Sequence, residues 1–164
     1  MPPSLDWIHK WLVYDPVTGV FTWAKTKGHR KAGKIAGTIK KDSGYILLWI
    51  DGKQYRAHKV AMYIYTGCWP NEFLDHVDGN KANNAISNLR FATKSQNGFN
   101  VGIKATNTSG VKGVSWRADR NKWRAYLRIN GSIKHLGYFD DIEFAELVVN
   151  EARDKYHGEF ARNA

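Results

Sequence analysis

Leu74-Asp75-His76-Val77-Asp78-Gly79-Asn80, continued by Asn83-Asn84, Asn88-Leu89-Arg90 and Thr93 to Asn100, is the stretch on which the reading of this chain turns. Phe73 to Val77 reads as a strand, and Asp78-Gly79-Asn80 demands a turn after it. Leu89 to Ala92 is a second short strand. Thr93 followed by Gln96 has the spacing of a capping box, so a helix is expected from Lys94 to Asn100. The order is strand, long polar loop, strand, helix. Adjacent residues on a strand face opposite ways. For Asp75 and His76 to serve one site, the strand has to twist or to end at His76, which Asp78-Gly79 permits. Asn80, Asn83 and Asn84 are read as turn formers that bond the backbone through their side chains.

This segment, about residues 44–100, resembles the HNH (His-Me finger, ββα-metal) endonucleases, particularly the phage and intron-homing branch. By that resemblance Asp75 corresponds to a first metal ligand, His76 to the general base, Asn88 to a bracing residue and Asn97, on the helix, to a second ligand. The third letter of the family name is then Asn here rather than His. The implied cofactor is one divalent ion, Mg²⁺ or Mn²⁺, because the donors are oxygens. The implied reaction is phosphodiester hydrolysis leaving 5′-phosphate and 3′-hydroxyl ends. The residue types suit it. A neutral imidazole, with an unperturbed pKa of about 6.5, can take a proton from water near neutral pH. A cation stabilises the charge growing on the leaving oxygen.

Upstream, Ser4 can cap a helix carrying Leu5, Ile8 and Leu12. Asp15-Pro16-Val17-Thr18-Gly19 is turn chemistry before a strand from Val20 to Trp23. Lys25 to Lys41 is dense in Lys, Arg, His and Gly and reads as a mobile basic loop. Tyr45 to Ile50 and Gln54 to Ala57 flank Asp51-Gly52, a hairpin signal. A helix is expected from His58 to Tyr65, ending at Gly67. His58 is read as structural.

Downstream, Gly102 to Gly110 is rich in turn residues. Beyond it lie three strands, Val111 to Arg117, Lys122 to Ile129 and Ser132 to Tyr138, with Asn130-Gly131 as a tight turn between the last two. A helix begins at Asp140, with Glu143 at capping-box spacing, Phe139 and Phe144 as a staple, and Ala145, Val148, Val149, Ala152 and Tyr156 as its apolar stripe. The segment resembles the plant ethylene-response-factor (Apetala-two) DNA-binding domain through Gly113-Val114, Trp123-Arg124-Ala125, Leu136-Gly137-Tyr138-Phe139 and His157-Gly158. Alternation makes a separate argument. Trp123, Ala125 and Leu127 share the face that packs on the helix. Lys122, Arg124, Tyr126 and Arg128 share the other, a face suited to a DNA groove. Lys112, Ser115, Arg117 and His135 are expected to join it.

The whole chain agrees with these parts. Its 164 residues allow two small domains, and 43% hydrophobic residues allow each a core. A net charge of +10 favours a polyanionic partner. No apolar run approaches the roughly 18 residues of a spanning helix, and Met1 to Lys10 has no secretory h-region. The lone Cys68 excludes a disulfide framework and a cysteine zinc site, and fits a reducing compartment. The expectation is an α+β protein: a basic accessory region at 1–43, a ββα-metal nuclease domain at 44–103, a linker at 104–110, and at 111–164 a three-stranded antiparallel sheet packed on one helix. Its partner is double-stranded DNA, with no membrane, and a monomer is the expected form. The resemblance implies the cytoplasm of a bacterial or phage-infected cell. The rivals are a non-catalytic DNA-binding regulator with a decayed nuclease site and a structural RNA-binding protein.

Overall fold

Short apolar stretches cut by turn residues give a succession of small antiparallel sheets and helices, an α+β arrangement, in the computed structural model, which describes residues 1–163. The chain divides into two compact units, the first Met1–Phe91 and the second beginning at Ala92.

In the first unit Ser4 caps α1 (Leu5–Trp11), its side chain accepting from the Trp7 N–H. β1 (Leu12–Tyr14) and β2 (Phe21–Trp23) pair antiparallel, with Tyr14 opposite Phe21. β3 (Thr38–Ile39), β4 (Ile46–Ile50) and β5 (Lys53–Arg56) form a three-stranded sheet in that order. The turn between β4 and β5 places Asp51 and Gly52 at φ 47 and 73°, the mirror-image turn that an Asp-Gly hairpin predicts. α2 (Ala57–Thr66) starts directly after β5 and stops at Gly67, whose N–H bonds the Tyr63 carbonyl. β6 (Phe73–His76) and β7 (Leu89–Ala92) then pair, joined by a polar loop and a 3-10 turn at Ile86–Asn88.

The core of this unit joins Ile8, Leu12, Phe21 and Ala36 to Leu48, Ile50, Val60, Leu74 and Leu89. Each of the larger side chains contributes about 1.5–3 kcal/mol on full burial. The segment before residue 44 is therefore structural and shares one core with β4, α2, β6 and β7. Within Lys25 to Lys41, read as a mobile loop, the backbone is tied to β2: Trp23 N donates to Lys34 O, Ala36 N donates to Phe21 O, and Thr22 bridges Ile35. Its few apolar residues, Ile35 and Ala36 among them, are too sparse to show periodicity, so pattern could not reveal this order.

The second unit opens with Ala92 and α3 (Lys94–Phe99). Thr93 and Gln96 form the predicted capping box. Residues 104–110, read as a linker, belong to this unit. The Ser109 hydroxyl donates to the Val114 carbonyl at 2.7 Å, and Asn107 Nδ2 donates to the Val111 carbonyl at 2.9 Å. β8 (Val114–Arg117), β9 (Lys122–Ile129) and β10 (Ser132–Phe139) form an antiparallel sheet with β9 central. It packs on α4 (Ile142–His157) through Val114, Ala125, Ala145 and Val149. The cap of α4 is Asp141, which accepts from Phe144 N at 2.9 Å, one residue later than Asp140. Its buried stripe is Ala145, Val149, Arg153 and His157, whereas Tyr156 is exposed. The buried stripe keeps strict i+4 spacing. Arg153 is admitted because its guanidinium bonds the Lys112 carbonyl and the side-chain oxygens of Asn150 and Asn163.

Gly19 ends the β1–β2 turn at φ 73°, and a Cβ there would lie 2.1 Å from the Ala85 nitrogen and 2.3 Å from the Asn84 carbonyl carbon. Both obstacles are backbone and cannot swing away. Gly19→Ala is therefore expected to destabilise the first unit by about 2 kcal/mol or more. Urea unfolding followed by tryptophan fluorescence measures this; a midpoint equal to that of the parent protein would contradict the close approach.

Candidate active site

Backbone polar groups that leave water need partners, and the partly buried loop between β6 and β7 finds them in its own carboxamides. Asn88 Oδ1 accepts from the Asp78 N–H at 3.0 Å, while its Nδ2 donates to Asp78 Oδ1 and the Asn83 carbonyl, each at 2.9 Å. The Asn88 carbonyl accepts from Val77 N. Asn83 Nδ2 donates to Asp78 Oδ2 at 2.8 Å, and Asn80 Oδ1 and Asn83 Oδ1 accept from the N–H groups of Ala82 and Ala85. Burial raises the Asp78 pKa, but the bonds from Asn83, Asn88 and the Asn80 N–H outweigh it and hold the carboxyl below its usual range. The β1–β2 turn braces the loop from outside. Tyr14 donates its hydroxyl to the Asn84 carbonyl at 2.8 Å, and Ile86 N donates to the Pro16 carbonyl at 2.9 Å. Burial, then Asp15, pushes Tyr14 up to about 12, so it keeps the proton it donates.

β6 ends at His76, one of the two arrangements that a shared site allows, and Asp75 and His76 are both buried, at 4% and 3% exposure. His76 Nε2 lies 3.3 Å from Asn84 Oδ1. Asn84 Nδ2 donates to the Ala82 carbonyl at 3.2 Å, which fixes the amide with its oxygen toward the ring. That oxygen only accepts, so Nε2 carries the proton and the lone pair of the neutral ring sits on Nδ1. Burial pushes the His76 pKa down, against the Asn84 bond and the Asp78 and Asp75 charges, so the ring is neutral at neutral pH. Two residues behind it are read from the sequence without any tie to His76, Asn84 as a turn former and His58 as structural. His58, on the first turn of α2, stands edge-on to His76 with ring centroids 5.0 Å apart. Tyr45 touches both rings, with centroids 5.1 Å from His58 and 6.0 Å from His76.

Asp75 faces Arg90 from β7, whose Nε and Nη2 both bond Oδ2, at 3.0 and 2.8 Å. The carboxylate is thus set in a place that accommodates positive charge. Among the described residues no three His, Cys, Asp or Glu side chains stand together as a metal cage. One buried carboxylate fits a hard cation only if that cation draws the rest of its shell from water and a phosphate, since the loop amide oxygens of Asn80, Asn83, Asn84 and Asn88 already have partners. Asn97, the other expected ligand, lies on α3 in the second unit, whereas Asp75, His76 and Asn88 are gathered in the first.

On the sheet of the second unit, Ser115 lies opposite Arg124, Arg117 opposite Lys122, and His135 opposite Tyr126, so all six share the face away from Ala125 and Leu127. Arg117 is paired with Asp119 and Lys122 with Asp140. Arg124 stacks on Tyr126 at 4.7 Å, and Arg128 bonds the Gly131 carbonyl. Lys112 is engaged elsewhere: its ammonium donates to the carbonyls of Phe99 and Arg162, both at 2.9 Å, and burial, with Arg153 and Arg162 nearby, pushes it down to about 8. A bulge between His135 and Gly137 brings Tyr138 opposite Arg124 and onto the same face, with Arg120 stacked on it at 4.5 Å. Strict alternation from His135 assigns Tyr138 to the wrong side; Gly137, at φ 146°, was the available signal.

A family model described as HNH endonuclease matches residues 55–99. His58, Asp75, His76, Asn84, Asn88, Arg90 and Asn97 all lie inside that segment. The chain is 37% identical over 90 residues to Protein 3.8 of Escherichia phage T7, covering 55% of this chain and 74% of that one. It is 33% identical over 120 residues to an uncharacterized HNH endonuclease of Acanthamoeba polyphaga mimivirus, covering 73% of this chain and 62% of the relative. A second uncharacterized HNH endonuclease of that virus is 30% identical over 138 residues, and this chain spans 40% of its length. A solved structure of DNA binding and cleavage by the HNH homing endonuclease I-HmuI aligns at 23% identity over 90% of this chain and 85% of that one, with a TM-score of 0.40. Among the described residues no helix is long and apolar enough to cross a membrane.

His58 gives the site a signature in stability. Burial, then repulsion from His76 once that ring is protonated and from the charges of Arg56 and Lys59, pushes its imidazole down to about 3. The unfolded chain takes this proton near pH 6.5 and the folded chain does not until about pH 3. Between these values the unfolded state binds more protons, so stability falls as the pH drops, by up to about 1.4 kcal/mol per pH unit. His58→Asn is expected to lower stability at pH 7.5 and to reduce the slope between pH 6 and 4.5, leaving the part that His76 and His157 contribute. Urea midpoints measured across that range decide it; an unchanged slope would contradict a buried, neutral His58.

Proposed function

Because the chain belongs to the HNH endonuclease family, we propose that it is a metal-dependent DNA endonuclease in which His76 is the general base and the second unit grips duplex DNA. The observation that carries this reading is the burial of His76 beside Asp75, with Asn84 Oδ1 3.3 Å from its Nε2. In this mechanism Nδ1 takes the proton from the attacking water. Asn84 holds the imidazole in the tautomer that can accept it and bonds the N–H more strongly as the ring gains charge. Asn88 holds the loop, and so the backbone after His76, in one conformation. Asp75 would hold Mg²⁺ or Mn²⁺, which when bound would stabilise charge on the leaving oxygen. The Arg124, Tyr126, Arg128, His135 and Ser115 face would meet the DNA, with Arg117 and Lys122 at its edge, and Lys112 serving the interior of its unit.

The rival is a DNA-binding regulator without catalysis. It draws on the ion pair between Arg90 and Asp75, which occupies an oxygen that a cation would use. Cleavage of supercoiled plasmid, with Mg²⁺ and with EDTA, separates the two readings; no metal-dependent nicking at high protein concentration would favour the regulator. His76→Ala should lower single-turnover cleavage by about 10²–10⁴-fold and leave DNA affinity within a few-fold. Asn84→Ala should lower the rate in the same direction but less. A His76→Ala protein that cuts at the parental rate would refute the assignment.

Gripping is tested separately. Arg124→Ala with Arg128→Ala should weaken duplex binding by about tenfold or more, since contacts of this kind are worth about 1–3 kcal/mol each. Cleavage at saturating protein should be nearly unchanged. Fluorescence anisotropy and single-turnover rates measure the two effects; normal binding without cutting would contradict this division of labour.

A further inference from the structure

Three separate segments of the first unit meet at the mouth of the His76 site. Tyr45 precedes β4, Arg56 ends β5, and Lys81 lies in the loop after His76. The Arg56 guanidinium sits 4.5 Å from the centroid of the Tyr45 ring and the Lys81 ammonium 5.0 Å from it. The same ring leans on His76 and His58. We propose that Arg56 and Lys81, fixed on Tyr45, form a clamp that holds the phosphates of the DNA strand being cut against His76. This rests on the nuclease reading above and adds to it the residues that position the substrate.

Four observations carry it. First, both cations are exposed while the imidazoles they flank are buried, so the charges stand where a ligand would enter. Second, among the described residues no salt bridge joins either one to an acid. The neighbouring Arg90 is paired with Asp75, and on the other sheet Arg117 and Lys122 are also paired. Two unneutralised cations held on one ring repel each other, and an anionic ligand offsets that repulsion. Third, the charges stand at the site: the Tyr45 ring that holds them lies 6.0 Å from the His76 ring and 5.1 Å from the His58 ring, centroid to centroid. Fourth, stacking organises them in advance. A guanidinium lying on an aromatic face has already lost much of its rotamer freedom, and less is lost on meeting a phosphate. The stem of Lys81 runs beside Gly44, where an added Cβ would come within 3.9 Å of it.

The partner chemistry is therefore a phosphodiester strand, read through its charge and not its bases. Lys81 and Arg56 are positioning residues, since the proton goes to His76. Tyr45 acts through them as the plate that sets their place.

The test uses the full chain and a short DNA duplex. Affinity is measured against salt for the parent, Lys81→Ala, Arg56→Ala, both together, the conservative Lys81→Arg and Arg56→Lys, and Lys10→Ala as an exposed cation on α1. Each clamp alanine should reduce the slope of log affinity against log salt by about 0.9, and the double variant by about twice that. The conservative variants should restore the slope, and Lys10→Ala should leave it unchanged. In single-turnover cleavage at saturating protein, each clamp alanine should slow cutting by about tenfold, with recovery in the conservative variants. Parental slopes in both alanine variants would overturn the proposal, as would an equal loss in Lys10→Ala. A reduced slope with an unchanged saturating rate would also overturn it, because the cations would then hold DNA away from the reacting phosphate. Absence of cutting by the parent protein would sink the nuclease reading, while the slopes would still decide whether these two cations hold DNA.

Discussion

The Asn88 carboxamide closes the loop that begins at His76. It accepts from the Asp78 N–H and donates to the Asp78 carboxylate and the Asn83 carbonyl. A polar loop behind a buried histidine would otherwise leave backbone groups without partners, at about 1–3 kcal/mol for each. Asp78 is the hub of this arrangement, since Asn80 N, Asn83 Nδ2 and Asn88 Nδ2 all converge on it. Asn84 can then be presented to His76 with its amide in one orientation. The proton position on the imidazole is thus a consequence of loop closure two steps away.

The first residues of the chain complete that closure. Tyr14, Pro16 and Gly19 touch the loop at Asn84, Ile86 and Ala85, while Leu12 and Phe21, on the same two strands, are in the core. A hairpin anchored by buried apolar side chains is a stiff support. It explains why a basic, turn-rich beginning belongs to the same unit as the site. Charge on this part of the chain is a surface property laid over a structural role, and composition by itself registers only the surface.

Much of this was legible in the sequence because it is local. The capping box of Thr93 and Gln96, the Asp51-Gly52 hairpin, the end of β6 at His76 and the alternation on β9 are set by spacing and turn chemistry. The features that were not legible depend on partners distant in sequence. Arg90 reads as one more basic residue until β7 brings it to Asp75. Asn84 reads as a turn former until its second bond, to His76, is seen. Arg153 breaks an apolar stripe because its hydrogen bonds lie on segments 10 and 41 residues away. Tyr138 changes face at a bulge, which shifts every side chain after it. The unit boundary at Ala92 falls within β7, where composition does not change, so turn-rich residues 102–110 drew the expected break instead.

Charge balance ties the site together. Asp75 is nearly excluded from water, and a carboxylate in that position needs a cation close by. Arg90 supplies one, at 2.8 Å. A divalent ion at the same carboxylate would meet the same requirement with one more positive charge, so on the proposed reading the guanidinium and the ion would compete for a role that the burial of Asp75 creates. The exposed Arg56 and Lys81 lie further out, on Tyr45. Added to a neutral His76, they leave the approach to the site positive whichever cation Asp75 holds. On the proposed reading a phosphodiester strand would lower the energy of such a site on arrival, and the neutral imidazole would be the group within it that accepts a proton. The ion pair at Asp75 and the neutral state of His76 thus share one cause, the burial of both residues at the end of a strand.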